Sequence, residues 1–172
     1  ETLREVLDNT TSVELFKIVI KKINNKKILN EIALDFFDDE VREMAVKKVT
    51  NKAVLKKIAL NDECYSVRVA ATERIDNQNL LEVIAENDED DEVRCAAVKK
   101  ITSQKTLEYV VLKGGWRNIM EVAVGRITNE RFLGRVVLSN DTNFIIKLKA
   151  LERINDKEIV KEIMENTTNL FI

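Results

Sequence analysis

Three arginines recur at one fixed interval, as Arg42, Arg68 and Arg94, and each follows a pair of acids: Asp38-Asp39, Asp62-Glu63 and Asp90-Asp91. A planar guanidinium binds a carboxylate through two parallel hydrogen bonds. The spacing is therefore read as a structural ladder that joins successive loops, with an anion site as the alternative. A second charged cluster, residues 86–92, holds six acids in seven positions. Asp88, Asp90 and Glu92 resemble the alternating start of a calcium loop. Val93 and Lys99 stand where such a loop needs glycine and glutamate, so an EF-hand is excluded. The acids instead suit the positive end of a following helix.

Lysines crowd the first third of the chain: Lys21, Lys22, Lys26, Lys27, Lys47, Lys48, Lys52, Lys56 and Lys57. Their spacing predicts a ridge along one edge that could meet phosphates. Acids nearly balance them, and no aromatic residues interleave them to stack bases. The segment from Gly114 to Gly134 collects all four glycines, the single tryptophan, Trp116, and Arg117, Arg126 and Arg131, with Arg135 next to it. Gly125 and Gly134 are expected inside helices, where each costs about 1 kcal/mol relative to alanine. Close approach of a backbone or ligand would offset that cost; a degenerate copy with a local bend is the alternative.

Catalytic chemistry finds little to work with. There is no histidine, no phosphate-binding glycine loop, no nucleophile elbow and no cysteine pair at metal-ligand spacing. The expectation is a chain that is not an enzyme, with no catalytic residues, no metal and no cofactor. Cys64 and Cys95 are read as reduced thiols of an intracellular, cytoplasmic protein. No apolar run reaches the roughly 18–20 residues that span a bilayer, so no membrane partner is expected. The 45% hydrophobic, 34% charged composition with net charge −2 fits an ordinary folded chain.

The elements that carry these residues follow from an internal repeat. Copies start near positions 15, 41, 67, 93, 119 and 146, an even interval that lengthens by one position at the last step. Counting each copy from zero, offsets 0, 3, 4, 5, 8, 14, 17 and 18 are apolar everywhere except at Thr72 and Lys149. Offsets 0, 3, 4 and 8 lie on one helical face, and 14, 17 and 18 on the face of a second helix. Between them falls a polar break, such as Asn24-Asn25, Thr50-Asn51 or Thr128-Asn129, suited to capping the second helix. A loop of about seven residues leads to the next copy. Offset 4 is alanine in five copies, which lets helices approach closely.

One such hairpin cannot bury its own stripe, but a stack can. The predicted fold is all-α: a single α-solenoid over residues 1–172, of about six stacked helix-turn-helix repeats with a 26-residue period. A half repeat over 1–10 precedes them, because Leu3, Val6 and Leu7 stand one period before Leu29, Ile32 and Ala33. Ile172 stands one period after Ile146, where another first helix would start. The expectation is a piece of a longer array, with end-to-end self-association as the alternative.

The motif V-R-x-A-A-x-x-x-I followed by L-x-x-I-A, clearest in 41–60, 67–85 and 93–111, resembles HEAT-like repeats and the leucine-rich repeat variant. The chain departs from the latter in having no proline at the break. The resemblance implies a helical-repeat scaffold that binds a protein or peptide partner through a concave face lined by the second helices. It also implies an alternative, a nucleic-acid binder or DNA glycosylase relative; a structural module of a longer array is a further alternative, expected from the repeat register. In that geometry offsets 15 and 16 face the groove, which aligns Val83, Tyr109 and Arg135 across three copies, with Gly134 and Arg131 beside them. Together with Trp116 these are the expected contact residues, since tyrosine, tryptophan and arginine are frequent interface anchors.

Overall fold

The computed structural model describes residues 13–168, which form twelve α-helices and no strand, so the described chain is all-α. The half repeat at 1–10 and Ile172 lie outside the described residues. The helices are α1 Val13–Lys22, α2 Lys26–Asp35, α3 Asp39–Val46, α4 Lys52–Asn61, α5 Tyr65–Thr72, α6 Gln78–Asn87, α7 Asp91–Val98, α8 Gln104–Lys113, α9 Arg117–Val124, α10 Glu130–Leu138, α11 Phe144–Leu151 and α12 Lys157–Thr168. None of them is long and apolar enough to cross a membrane.

The polar breaks start the longer helices as their chemistry requires. Asn25 Oδ1 accepts from the N–H groups of Lys27 and Ile28, and Asn51 accepts likewise from Ala53 and Val54. Asn77, Ser103 and Asn129 each take one N–H of the helix they precede, and Asp156 takes those of Glu158 and Ile159. Each such cap is worth about 1 kcal/mol to its helix. Asp38, Asp90 and Asn143 do the same for α3, α7 and α11, whereas α5 and α9 begin at Cys64 and Trp116 with no side-chain cap.

The loops between copies are shorter than the sequence implied. Residues 36–38, 62–64, 88–90 and 114–116 connect helices with three residues each, and 139–143 with five. The longer helices continue past their last apolar position, and the shorter ones begin before their first.

The chain divides into two compact units, residues 1–96 and 97–172, with the boundary inside α7. In the first, α2 packs on α3, α4 on α5, and α1, α3 and α5 line up side by side. Its core holds Val41, Ala45, Val46, Val67, Ala71, Leu81 and Ile84, all essentially inaccessible to solvent. In the second, α8 packs on α9, α10 on both α11 and α12, and α9 on α11, around Leu107, Ala123, Ile127, Phe132, Leu133 and Ile146. Buried alanines on packed helices, such as Ala59 on α4 and Ala71 on α5, leave room for the backbones to approach. Of the two polar exceptions in the apolar pattern, Thr72 is fully buried. Lys149 is half-buried, 3.8 Å from Glu121.

Candidate binding groove

The arginine forks join successive loops, with each carboxylate supplied by the following loop. Arg42 Nε and Nη2 each lie 3.0 Å from an oxygen of Asp62, and Nη1 donates to Phe36 O at 2.8 Å. Arg68 repeats the arrangement with Asp88 (3.0 Å twice) and Asp62 O (2.9 Å). The bidentate hydrogen bond raises the Arg42 guanidinium above its ordinary value, and Asp88 does the same for Arg68. Arg94 keeps the backbone contact, donating through Nη1 to Asp88 O. At the corresponding distance beyond Arg94 the sequence has Gly114, so the series of carboxylates at that spacing ends at Asp88.

A second set of cations performs a task that sequence reasoning missed. Lys48 Nζ donates to the carbonyls of Ile20 (3.0 Å), Lys21 (3.1 Å) and Ile23, at the end of α1. Arg74 donates to Val49 O through Nε and Nη2, at 3.1 and 2.9 Å. In the second unit, Arg126 reaches Ile101 O at 2.8 Å and Arg153 reaches Ile127 O at 3.0 Å. These carbonyls lie at the C-terminal, negative end of a helix, which is why a cation settles there. The signal was present in the sequence: offset 7 is Lys or Arg in all six copies, from Lys22 to Arg153. It was hidden among the other lysines.

These roles change the reading of the charged clusters. Lys48 is bound to backbone and Lys47 pairs with Glu43 at 2.6 Å, whereas Lys21, Lys22, Lys26, Lys27, Lys52, Lys56 and Lys57 are exposed. Within the acidic segment, Asp88 receives Arg68 and Asp90 caps α7. Among the described residues no group of three acids or cysteines is placed to hold a metal ion. Both cysteines are free thiols. The Cys64 thiol donates to Asp39 (Sγ–Oδ2 3.2 Å), and that hydrogen bond holds the Asp39 carboxyl below its ordinary value.

In the second unit α10 and α12 flank a groove of about 680 Å³. Arg131, Gly134, Arg135 and Leu138 line it from α10, and Glu158, Ile159, Lys161, Glu162, Ile163 and Glu165 from α12. Gly134, expected on an outward face, is buried: a Cβ there would lie 2.9 Å from Ile159 Cγ2. Glycine at this position lets α12 come close and forms part of the groove's floor. Gly125, expected inside a helix, is the C-cap of α9 with φ −60°. The positive φ values belong to Gly114 and Gly115 (67° and 107°), which turn the chain between α8 and α9 where a side chain would be strained.

The walls of the groove differ in sign. Arg131 and Arg135 stand one turn apart on α10, both exposed. Arg131 has no hydrogen bond or ion pair from its guanidinium among the described residues, and Arg135 lies over the Phe132 ring at 5.4 Å. Three glutamates and one lysine, Lys161 (3.9 Å from Glu165), face them from α12, with Ile159 and Ile163 buried beneath. Glu130 ties the two helices together by accepting from the N–H groups of Asn155 and Asp156 at 2.8 and 2.7 Å. These backbone donors hold its carboxyl below the ordinary value. A second cavity of about 390 Å³ lies on the other side of α10, lined by Gly114, Met120, Phe132 and again Arg135.

Arg131, Gly134 and Arg135 thus meet in one groove. Tyr109, half-exposed on α8 with Lys113 Nζ 6.0 Å from its ring centre, lines neither of these two cavities; nor does Trp116, exposed at the start of α9. Val83 is exposed on α6 in the other unit. No family model, no curated protein and no solved structure matches the chain.

Proposed function

We propose that the chain is a HEAT-like helical-repeat scaffold, an α-solenoid of about six helix-turn-helix copies, that binds a protein segment without catalysing a reaction. The repeat reading is supported by the short helices α3, α5, α7, α9 and α11. Their starts recur at the period read from the sequence, with one extra position at the last step, and each is followed by a longer helix. The observation that carries the binding reading is the α10–α12 groove: an apolar floor, a basic wall with the unengaged Arg131, and a largely acidic wall opposite. A segment with apolar residues along its centre and carboxylates on the side facing α10 is complementary to it. Lys48, Arg74, Arg126 and Arg153 are engaged with backbone carbonyls, which leaves fewer basic groups for the nucleic-acid alternative.

The test is selection of a displayed random-peptide library on the purified chain. Enriched peptides are expected to share acidic and aliphatic positions and to lose at least tenfold in affinity against Arg131→Glu/Arg135→Glu, about 1.4 kcal/mol or more. No enrichment, or binding indifferent to both substitutions, would remove the groove as the contact surface.

A further inference from the structure

We infer that the cavity bounded by α8, α9, α10 and the 139–143 loop binds a small amphipathic acid, one carboxylate on an aliphatic or aromatic body. The inference goes beyond the scaffold reading and concerns the second unit alone. The cavity originates in a change of residue at one place in the repeat register. Arg42 and Arg68 occupy the space between successive loops in their copies, forked onto Asp62 and Asp88. Two copies beyond Arg68 the same register position holds Met120, which has no guanidinium, and the places of Asp62 and Asp88 pass to Gly114 and Asn140. The depression around Arg68 is lined by loop residues, among them Asp62, Glu63, Asp88 and Glu89, and by no buried apolar side chain. Where the fork is missing, the corresponding cavity reaches the core. Val111, Met120, Phe132 and Val136, all under a tenth exposed, form its floor.

The charge of the lining changes sign as well. In place of Asn61 and the four acids it has Lys113 from α8 and Arg135 from α10, with Asp141 as its single acid. Both cations are exposed, and neither has a carboxylate partner among the described residues. The Arg135 guanidinium lies over the Phe132 ring at 5.4 Å, so a cation stands directly above the apolar floor. That pairing suits a ligand whose body lies on Phe132, Met120 and Val136 while its carboxylate meets Arg135 and Lys113. Asp141 is exposed on the loop, where its N–H donates to Ser139 Oγ at 3.3 Å. Two cations against one acid leave the lining net positive, which favours a carboxylate over an amine. The volume, about 390 Å³, falls at the small end of the range of small-molecule pockets. A free acid and the C-terminal residue of a peptide share this chemistry, and the assay separates them.

Titration of the whole chain with 3-phenylpropionate, and separately with decanoate, is followed by amide and methyl NMR. Saturable shifts are expected at Gly114, Met120 and Asp141, with a dissociation constant below about 1 mM. The neutral 3-phenylpropanamide should bind at least tenfold more weakly, because it leaves both cations without a charged partner. Lys113→Glu should also weaken the acid about tenfold, with unchanged helical circular dichroism, and Lys113→Arg should retain it. Asp141→Asn should tighten binding about threefold by removing the one repelling charge. Met120→Arg, which restores the residue of the earlier copies, should abolish the shifts; Lys113→Glu keeps the test readable should that variant unfold. Absence of saturable shifts, shifts confined to other residues, or an amide that binds as well as the acid overturns the inference. So does phenylalanine binding more tightly than 3-phenylpropionate, which would make the site a zwitterion site through Asp141. Tighter binding by a peptide ending in phenylalanine overturns the free acid in favour of a chain terminus. Arg131 lines the groove and not this cavity. Arg131→Glu should therefore weaken the selected peptides and spare the acid, while Met120→Arg should do the reverse, so the two readings fail separately.

Discussion

Thr72 and Gly134 break local rules for opposite reasons. Thr72 occupies a core position held by valine in three other copies, and its Oγ1 is buried with no hydrogen-bond partner among the described residues. An unsatisfied buried hydroxyl costs about 1–3 kcal/mol. Thr72→Val should therefore stabilise the chain by about 1 kcal/mol, read as a higher urea midpoint at constant slope. Gly134 sacrifices helix propensity so that Ile159 can pack against its backbone. Gly134→Ala gains about 1 kcal/mol of propensity and loses about 2 kcal/mol to overpacking, a net destabilisation of about 1 kcal/mol. Gly125→Ala is the control. Its right-handed backbone accepts a side chain, and the nearest contacts are carbonyl oxygens one turn back at 3.3 and 3.5 Å. It should stabilise by about 0.5 kcal/mol in the same urea titration.

Elements are joined by charges that work on backbone as much as on each other. The Arg68–Asp88 fork is nearly sealed, with both side chains under a tenth exposed. Removing one partner leaves a buried charge, so Arg68→Met should cost about 3–5 kcal/mol, whereas Arg68→Met/Asp88→Leu should recover most of that loss. Denaturant unfolding of the two single variants and the double variant measures the coupling. Glu130 links α10 to α12 through two backbone N–H groups that depress its pKa below 4.5. A carboxylate with a depressed folded-state pKa stabilises the fold above its unfolded pKa and loses that contribution as pH falls through the folded value. The melting-temperature gap between the wild type and Glu130→Gln should be constant near neutral pH and close below about pH 4.5. A gap independent of pH would mean that the carboxylate's charge contributes nothing at this joint.

At the scale of the whole molecule, the division at residues 96 and 97 gives each substitution a territory. Arrays whose copies contact only their neighbours respond locally to a local change. In native-state hydrogen exchange, Thr72→Val should slow the amides of α3 to α6, and Gly134→Ala should speed those of α9 to α12, each leaving the other unit's rates unchanged. Uniform shifts across all helices would show a single cooperative body instead.

Helices, their caps and their core were legible in the residue order because each depends on neighbours a few positions away. Apolar spacing marked Val41, Val67 and Ile127 for burial, and Asn51 and Asn129 marked the starts of α4 and α10. Offset-7 cations were equally periodic, yet their targets were not readable, since a lysine's reach to a carbonyl of the preceding copy depends on how copies lean together. Folding alone decided that Arg42 would clasp Asp62 rather than Asp39, that Gly134 would turn inward onto Ile159, and that Arg131 and Arg135 would share a groove without Tyr109 or Trp116. Those outcomes rest on distances between helices, which side-chain volume and close approach set and which periodicity does not encode.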